Sequence, residues 1–364
     1  MLRSNTQKAL RLSKSYFLGL CTAYLCLYSV FCAAEAHAQP PAGSSNPLQI
    51  YFIDVEGGQA TLFVTPAKQS LLVDTGWADN DGRDADRIVS AARKAGLSRI
   101  DYVLITHFHI DHVGGAPQLA ARIPIGTFID HGENRESTDG PTVEVWNAYQ
   151  QLLATGKYKR ITAKPGEVLP IRGMHATVVS ADGSLIDHPF AGAGQENNQC
   201  KSAEEFPADQ TENARSAGIL VTFGSLRILD LGDLTKDKER QLVCPQNKIG
   251  PIDIYVVSHH GWYQSNSAAF LDSIEPRVAI MDNGAKKGGT PSAWDIIEKS
   301  PRLENLWQLH FSEEGGAAHN VPSEFIANPE GPDAGNYLKL TAWPDGHFEV
   351  FNSRTQRAKE YRAR

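Results

Sequence analysis

The sequence contains little cysteine and no excess of basic residues. Lysine and arginine total 35 against 42 aspartate and glutamate residues, so the net charge is −7 over 364 residues. This balance excludes the global electrostatic footprint of a nucleic-acid-binding protein, which needs a basic surplus. Charged residues make up 21% of the chain and hydrophobic residues 41%. The composition therefore permits a sizeable core and excludes global disorder.

The N-terminus has the features of a secretory signal. Basic residues within the first 14 positions precede an uncharged apolar run over residues 16–32, and Ala36-His37-Ala38 has the small-x-small pattern of a cleavage site. We predict a signal peptide over residues 1–38, cleaved after Ala38, and a Pro/Gly/Ser-rich linker over residues 39–47. The protein would then be exported, to the periplasm or the extracellular space. The alternative is an uncleaved N-terminal anchor, because the apolar run is long for a signal.

Three of the five cysteines lie in the predicted signal peptide, so the mature chain would keep Cys200 and Cys244. An exported chain with two cysteines is a candidate for one disulfide, although the sequence alone does not fix their geometry. Neither cysteine has the spacing of a structural zinc cluster.

The densest chemical signal is the stretch from Thr106 to His112, which contains His107, His109, Asp111 and His112. It follows an apolar run, Tyr102-Val103-Leu104-Ile105, that predicts a buried strand. Imidazole nitrogen and carboxylate oxygen together suit zinc, iron or manganese. Burying these groups without a partner would cost desolvation energy, and a bound cation removes that cost. The alternative is a polar loop whose histidines are hydrated.

Acidic residues and histidines also follow other predicted strands. Asp74 ends the strand that starts at Ser70, Asp233 follows a predicted hairpin, and His259-His260-Gly261 follows a strand over residues 252–257. Strand meanders and helices occur in both halves of the chain, with no internal repeat or clean boundary. We therefore predict an α/β (α+β) fold, an αββα sandwich of two mixed sheets with helices outside, over residues 48–352. Residues 353–364 are rich in arginine and predict a solvated basic tail.

The His-x-His-x-Asp-His pattern of residues 107–112 resembles the signature of the metallo-β-lactamase superfamily. Gly232-Asp233 followed by His259-His260-Gly261 is a narrower match. Together with Asn213-Ala214-Arg215-Ser216 and the Asp54–Gln59 stretch, it resembles the extracellular hydrolase domain of ComEC-type competence proteins and secreted phosphorylcholine esterases. The resemblance covers roughly residues 48–291.

This resemblance implies a site for two divalent metal ions, with zinc expected first and manganese, iron or a single ion as alternatives. The implied metal ligands are His107 and His109 for one ion, Asp111, His112 and His260 for the other, and Asp233 as a bridge. Which of His259 and His260 is the ligand stays open in the sequence. The superfamily usually has another histidine before the bridging aspartate, and here that region holds Thr211, Asn213 and Ser216. The first ion is therefore expected to be weakly held.

Three residues are expected to act in catalysis. The resemblance implies that Asp74 orients a metal ligand from behind, since a metal-bound imidazole needs a partner on its other nitrogen. Asp111 would hold the proton of the attacking water as well as bind metal. His259 would hydrogen-bond the substrate or the leaving group.

The implied function is hydrolysis by a metal-activated hydroxide. The ComEC-like pattern favours phosphoester or phosphodiester bonds, which is an inference by analogy. The alternatives are a β-lactam or lactone hydrolase and, in another class, a non-catalytic binding module on the same scaffold. A small-molecule or phosphoester substrate is expected rather than nucleic acid, because no basic stripe with interleaved aromatics is present near the site. After signal cleavage no stable membrane association is expected, and the sequence does not determine the oligomeric state.

Other positions near the predicted strand ends are weaker candidates. His131 follows a strand and is either a site residue or an ordinary loop histidine. Ser265 and Asn283 are candidate substrate contacts. Trp262 and Tyr263 either form an aromatic wall, for instance around a quaternary ammonium group, or pack on the sheet.

Overall fold

Strands form where apolar and β-branched residues are concentrated, and glycine, proline or aspartate interrupts them. The computed structural model describes residues 46–78, 80–331 and 333–363. Within these ranges the strands are β1 (Leu48–Phe52), β2 (Thr61–Val64), β3 (Ser70–Val73), β4 (Ile100–Leu104), β5 (Ile125–Asp130), β6 (Lys159–Thr162), β7 (His175–Ala181), β8 (Ser184–Leu185), β9 (Gly218–Phe223), β10 (Leu226–Asp230), β11 (Ile254–Val256), β12 (Val278–Met281), β13 (Asn305–His310), β14 (Ile326–Asn328), β15 (Leu338–Ala342), β16 (His347–Asn352) and β17 (Arg357–Arg362).

The α-helices in the same ranges are 4 to 15 residues long. They are α1 (Arg83–Lys94), α2 (Ile110–Val113), α3 (Ala116–Ala120), α4 (Gly140–Ala154), α5 (Lys236–Val243), α6 (Ala268–Ile274) and α7 (Pro291–Glu298). In α1 the apolar face buries Ile88 and Ala92, and basic Arg93 and Lys94 occupy the last turn, where they complement the helix dipole. Asp139 caps α4 by accepting a hydrogen bond from the backbone N–H of Thr142.

The strands form two mixed sheets. The first has the order β17-β16-β15-β1-β2-β3-β4-β5-β6, and the second has the order β14-β13-β12-β11-β10-β9-β7-β8. The chain starts as an antiparallel meander, since β1 pairs with β2 and β2 with β3 in that sense. From β3 to β6, and from β10 to β14, neighbouring strands are parallel.

Apolar side chains from both sheets meet in one central core, which includes Phe52 and Leu71 of the first sheet and Val178 and Ile254 of the second. A second apolar cluster joins the outer face of the first sheet to helices including α1 and α4. A third joins the outer face of the second sheet to α5, α6 and α7. The predicted αββα sandwich is therefore confirmed.

The parallel strands determine where the functional residues lie. Parallel neighbours place their carboxyl ends at the same edge of a sheet, and the loops that leave this edge carry side chains to a common crevice. The ends of β3 and β4 lie on one sheet and the ends of β10, β11 and β12 on the other. The predicted metal-binding residues follow these strands.

The predicted basic tail over residues 353–364 is wrong for most of its length. Residues 357–362 form β17, which pairs with β16 along its whole length. Tyr361 anchors the strand, because its ring stacks on Phe348 at 5.1 Å and is only 5% exposed. Arg357 and Lys359 are exposed on this edge strand, where charged side chains are commonly found. The charge run therefore belongs to the outer face of a strand.

Residues 1–45, which contain the predicted signal peptide and most of the predicted linker, lie outside the described residues, so these boundaries stay predictions. Within the described ranges, no helix combines the length and the apolar character that crossing a bilayer requires.

Cys200 and Cys244 form a disulfide, with Cα atoms 5.7 Å apart. It ties the irregular segment after β8 to the end of α5.

Candidate metal centre

The predicted metal-binding residues follow the carboxyl ends of three strands, β4, β10 and β11. His107 and His109 lie between β4 and α2, and Asp111 and His112 lie in α2. Asp233 follows β10 and lies on the second sheet, while His259 and His260 lie in a one-turn helix, Ser258–Gly261, after β11. The crevice between the two sheets thus receives donors from both.

Four of these residues converge tightly. The side chains of Asp111, His112, Asp233 and His260 are buried, and each places one donor atom within 4.8 Å of the others. His112 Nε2 lies 3.2 Å from Asp111 Oδ2, 3.3 Å from Asp233 Oδ2 and 3.2 Å from His260 Nε2. His260 Nε2 lies 3.3 Å from Asp111 Oδ2 and 3.5 Å from Asp233 Oδ1. We call these four residues the metal cluster.

These separations match a tetrahedral ion site. Zinc ligands at about 2.0–2.2 Å from the ion are about 3.3–3.6 Å from one another in a tetrahedron. Asp233 Oδ1 makes no hydrogen bond to any residue that the structure describes, although it is buried. The donor types, the spacing and this unpaired oxygen all fit a divalent cation.

The histidines of the metal cluster are held from behind. His112 Nδ1 donates a 2.7 Å hydrogen bond to Asp74 Oδ2, so its Nε2 lone pair faces the cluster. Asp74 is fully buried and also accepts bonds from the backbone N–H and the hydroxyl of Thr106. Asp282 Oδ1 lies 3.3 Å from His260 Nδ1. A carboxylate at the outer nitrogen fixes the ring and makes the inner nitrogen a better ligand.

Electrostatics couple the four residues. Burial would raise the pKa of Asp233, but the imidazoles of His112, His259 and His260 hold it well below its usual range. Burial would lower the pKa of His260, but Asp233 and Asp282 raise it to about 9. The Asp233 carboxylate is therefore ionised at neutral pH. His260 carries a proton at this pH and must release it when a cation binds at its inner nitrogen.

The predicted first ion position is less complete. His107 Nε2 lies 3.9 Å from Asp233 Oδ2, is fully buried, and makes no hydrogen bond within the described part of the chain. His109 Nε2 donates a 3.0 Å bond to Glu136 Oε2, and the His107 and His109 rings are 4.7 Å apart. Ser216 is behind His107, with its Oγ 3.5 Å from Nδ1, and supplies no third imidazole. This geometry supports the expectation of a weaker first ion.

His259 and His260 point into the crevice because the backbone is left-handed at both. Their φ angles are 56° and 54°, and a non-glycine residue adopts such values at an energetic cost. The turn is stabilised from outside: the N–H of Gly289 donates to His260 O at 2.8 Å, and a Cβ on Gly288 would lie 2.2 Å from that oxygen. Position 288 therefore requires glycine, because any side chain would clash with the carbonyl oxygen of His260.

His259 occupies the rim of the site. Its Nε2 lies 3.4 Å from Asp233 Oδ2, and its ring stacks on Trp262 at 6.4 Å. Burial, opposed by Asp233, lowers its pKa to about 4, so its imidazole is neutral at physiological pH. A neutral imidazole can donate a hydrogen bond to a substrate or accept one from it, and its unprotonated nitrogen can instead bind an ion.

Lys287 is a further charged group at the site. Its ammonium contacts Asp111 Oδ2 and lies 4.9 Å from the centroid of the Trp77 ring. Burial would raise the pKa of Asp111, but Lys287 and His112 hold it well below its usual range. Asp111 is also linked to the β1–β2 loop, because Gln59 N donates to Asp111 O and a Cβ on Gly58 would lie 2.3 Å from that oxygen.

Some weaker sequence candidates have structural roles instead. Asn283 is fully buried and its Nδ2 donates to His310 O at 2.8 Å, so it is not a substrate contact. His131 is buried and pairs with Glu212 at 2.9 Å. Ser265 is buried with its Oγ 3.4 Å from His259 Nδ1, behind the ring. Tyr263 is 53% exposed and Trp262 packs on His259.

Sequence reasoning missed Glu136, Asp282 and Lys287. Asp282 follows β12 directly, and the strand-end rule that identified Asp233 would have identified it as well. Glu136 and Lys287 lie in loops, where no periodicity or motif marks them. Their proximity to His109 and Asp111 arises only from the packing of distant segments.

The chain is similar to several known proteins. Residues 53–194 match the sequence model of the metallo-beta-lactamase superfamily. ComE operon protein 3 of Bacillus subtilis is 23% identical over 66% of this chain and 29% of its own length, so the chain spans less than a third of that relative. The UPF0173 metal-dependent hydrolase H16_A2129 of Cupriavidus necator is 24% identical over 72% of this chain and 83% of its own. The metallo-beta-lactamase fold protein YhfI from Bacillus subtilis superposes with a TM-score of 0.43 and 13% identity, covering 72% of this chain and 95% of that protein.

The fold and the site define a metal-dependent hydrolase. The chain has the metallo-β-lactamase fold, and ComEC-type competence proteins are among its homologues.

Proposed function

We propose that this protein is an exported phosphoesterase or phosphodiesterase that works on a small-molecule substrate. The observation that carries the proposal is the metal cluster, in which five donor-to-donor distances lie between 3.2 and 3.5 Å. Asp111, His112, Asp233 and His260 would hold one divalent ion, and His107, His109 and Asp233 would contribute to a second. When bound, such ions supply Lewis acidity and lower the pKa of coordinated water.

The residues around the ions account for the rest of the reaction. Asp111 is ionised and can accept a hydrogen bond from the attacking water, which holds that water in position. His259 is neutral and lies at the rim, where it can hydrogen-bond the substrate or the leaving group. Asp74 and Glu136 hydrogen-bond the rings of His112 and His109, and Asp282 lies 3.3 Å behind the His260 ring, so the site needs little reorganisation.

The charges at the rim support an anionic substrate. Lys287 places its ammonium group against Asp111, and a phosphoester carries negative oxygens that favour such a group. The similarity to ComE operon protein 3 is consistent with the ComEC-like motif, but its name states no substrate.

Export rests on the N-terminal sequence pattern. N-terminal sequencing of secreted material should find a chain that begins at Gln39, and a cytoplasmic chain beginning at Met1 would refute export.

The experiment is a panel of chromogenic substrates tested with and without chelator. We expect hydrolysis of bis(p-nitrophenyl) phosphate or p-nitrophenyl phosphorylcholine that chelator abolishes and zinc or manganese restores. Asp111→Asn, which keeps the side-chain size, should lower kcat by at least about 10²-fold. Turnover of only nitrocefin or a lactone would replace the proposal with acyl hydrolysis. Bound metal without turnover of any substrate would favour a binding module.

A further inference from the structure

Lys287 is placed where it affects both a metal ion and a substrate. Its ammonium contacts Asp111 Oδ2, the same oxygen that lies 3.2 Å from His112 Nε2 and 3.3 Å from His260 Nε2. A lysine that only neutralised Asp111 could equally contact the outer carboxylate oxygen. Here the positive charge is on the side of the carboxylate that faces the ion position.

The position of Lys287 is determined by its backbone. Lys287 O accepts a 2.8 Å bond from Gly284 N, and two residues later Gly289 N donates to His260 O. On the other side, a Cβ on Gly57 would lie 2.9 Å from Lys287 Cβ. The loop is therefore packed between the β1–β2 loop and the His259–His260 turn, and it holds the lysine beside the metal cluster.

The ammonium keeps capacity for a further partner. Lysine has three N–H donors, of which Asp111 takes one, and the Trp77 ring offers its π face at 4.9 Å. The side chain is 28% exposed, so solvent reaches part of it. An anion bound at the crevice can reach it.

The charges favour an anion at this position. A lysine beside an ion position repels the cation and competes with it for the shared carboxylate oxygen. An anionic group that contacts the ion and the ammonium together removes this repulsion. A phosphoryl group, with several charged oxygens on one atom, can make both contacts.

We propose that Lys287 and the Trp77 ring form an anion-binding subsite for a non-bridging phosphoryl oxygen, with Lys287 as the specificity-determining residue. The phosphoryl assignment rests on the proposed function. The same charge makes Lys287 a competitor of the ion at Asp111. Removing the Lys287 charge should therefore raise the affinity for the metal ion and lower the affinity for the anion.

The test compares Lys287→Met with Lys286→Met, which removes the same charge from the adjacent, exposed position. Titration calorimetry with zinc on metal-free protein should show about tenfold tighter binding to Lys287→Met, because the competing charge is gone. With the zinc-loaded proteins, inorganic phosphate should bind about tenfold more weakly to Lys287→Met. Lys286→Met should match the wild type in both, and Lys287→Arg should keep most of the phosphate affinity.

The proposal is overturned if Lys287→Met leaves phosphate binding unchanged, or if Lys286→Met loses as much. It is also overturned if Lys287→Met and Lys287→Arg both melt at lower temperature and lose zinc and phosphate affinity together, since this indicates a purely structural lysine. Neither the zinc titration nor the phosphate titration requires enzymatic turnover. A protein that binds phosphate through Lys287 but hydrolyses no phosphoester would refute the proposed reaction and leave the subsite standing.

Discussion

Two groups of histidine and carboxylate side chains in this protein have similar spacing but different surroundings. One is the metal cluster, and the other is formed by Asp54, Glu56 and His310 at the end of β1, here called the β1-end cluster. In each group the donor atoms lie within 4.8 Å of one another. Spacing alone therefore does not distinguish them.

The difference lies in what already binds the donors. In the β1-end cluster, Asp54 Oδ1 accepts from His310 Nε2 at 2.7 Å and Oδ2 accepts from Arg87 at 2.9 Å. Arg87 also pairs with Asp333, so arginine supplies the positive charge. In the metal cluster, the outer nitrogen of His112 is the one bonded to a carboxylate, which leaves the inner nitrogen for an ion. We infer that the β1-end cluster is a salt-bridge network rather than a second ion site.

The largest effect should follow from removing the donor that the two proposed ion positions share. Asp233→Ala should lose bound metal, and its kcat should fall by at least about 10³-fold, because the Asp233 carboxylate lies within 3.9 Å of His107, 3.3 Å of His112 and 3.5 Å of His260. Elemental analysis and phosphodiester assays would measure this. Asp237→Ala, a nearby acidic residue outside the cluster, is the control. A variant that keeps its metal would remove Asp233 from the site.

A pair of histidine substitutions tests the comparison directly. His260→Ala should lose about one equivalent of metal while keeping the fold. His310→Ala should keep its metal but lower the free energy of unfolding by about 3 kcal/mol, because Asp54, which is 1% exposed, loses one of its partners. Metal analysis and denaturant unfolding of both variants separate the two outcomes. Equal metal loss would make the β1-end cluster an ion site after all.

The smallest effect concerns pH. Asp230 lies three positions before Asp233 and accepts hydrogen bonds from the side chain of Gln59, and burial raises its pKa to about 7 from 3.8. Between about pH 4 and pH 7, the Asp230 carboxyl therefore stays protonated in the folded protein, whereas in the unfolded chain it has already lost its proton. The free energy of unfolding should fall by roughly 2–4 kcal/mol as the pH rises through this window.

Asp230→Asn should flatten this fall in chelator-treated protein, as measured by denaturant unfolding from pH 4.5 to 7.5. Part of the slope should remain, because burial also raises the pKa of Glu239 to about 7. Identical slopes in Asp230→Asn and the wild type would show that Asp230 is ionised throughout.

The sequence determined the fold class and much of the metal cluster. Alternating strand and helix patterns predicted the two sheets, and the residues that follow β3, β4, β10 and β11 predicted the donors. This works because parallel strands place their carboxyl ends at one edge, so a local pattern has a defined spatial consequence. The tail prediction failed because the charges of β17 lie on the outer face of an edge strand, where a short charge run looks like a solvated tail.

Only the tertiary structure decided which of two adjacent histidines enters the metal cluster, which carboxylates besides Asp74 lie behind the imidazoles, and where Lys287 lies. The choice between His259 and His260 depends on two left-handed backbone residues and on the glycine loop packed against them. Lys287 and Asp111 are 176 positions apart, and Glu136 meets His109 across 27 positions. Contacts between such loops are set by how the two sheets pack, and no local preference of the chain encodes them.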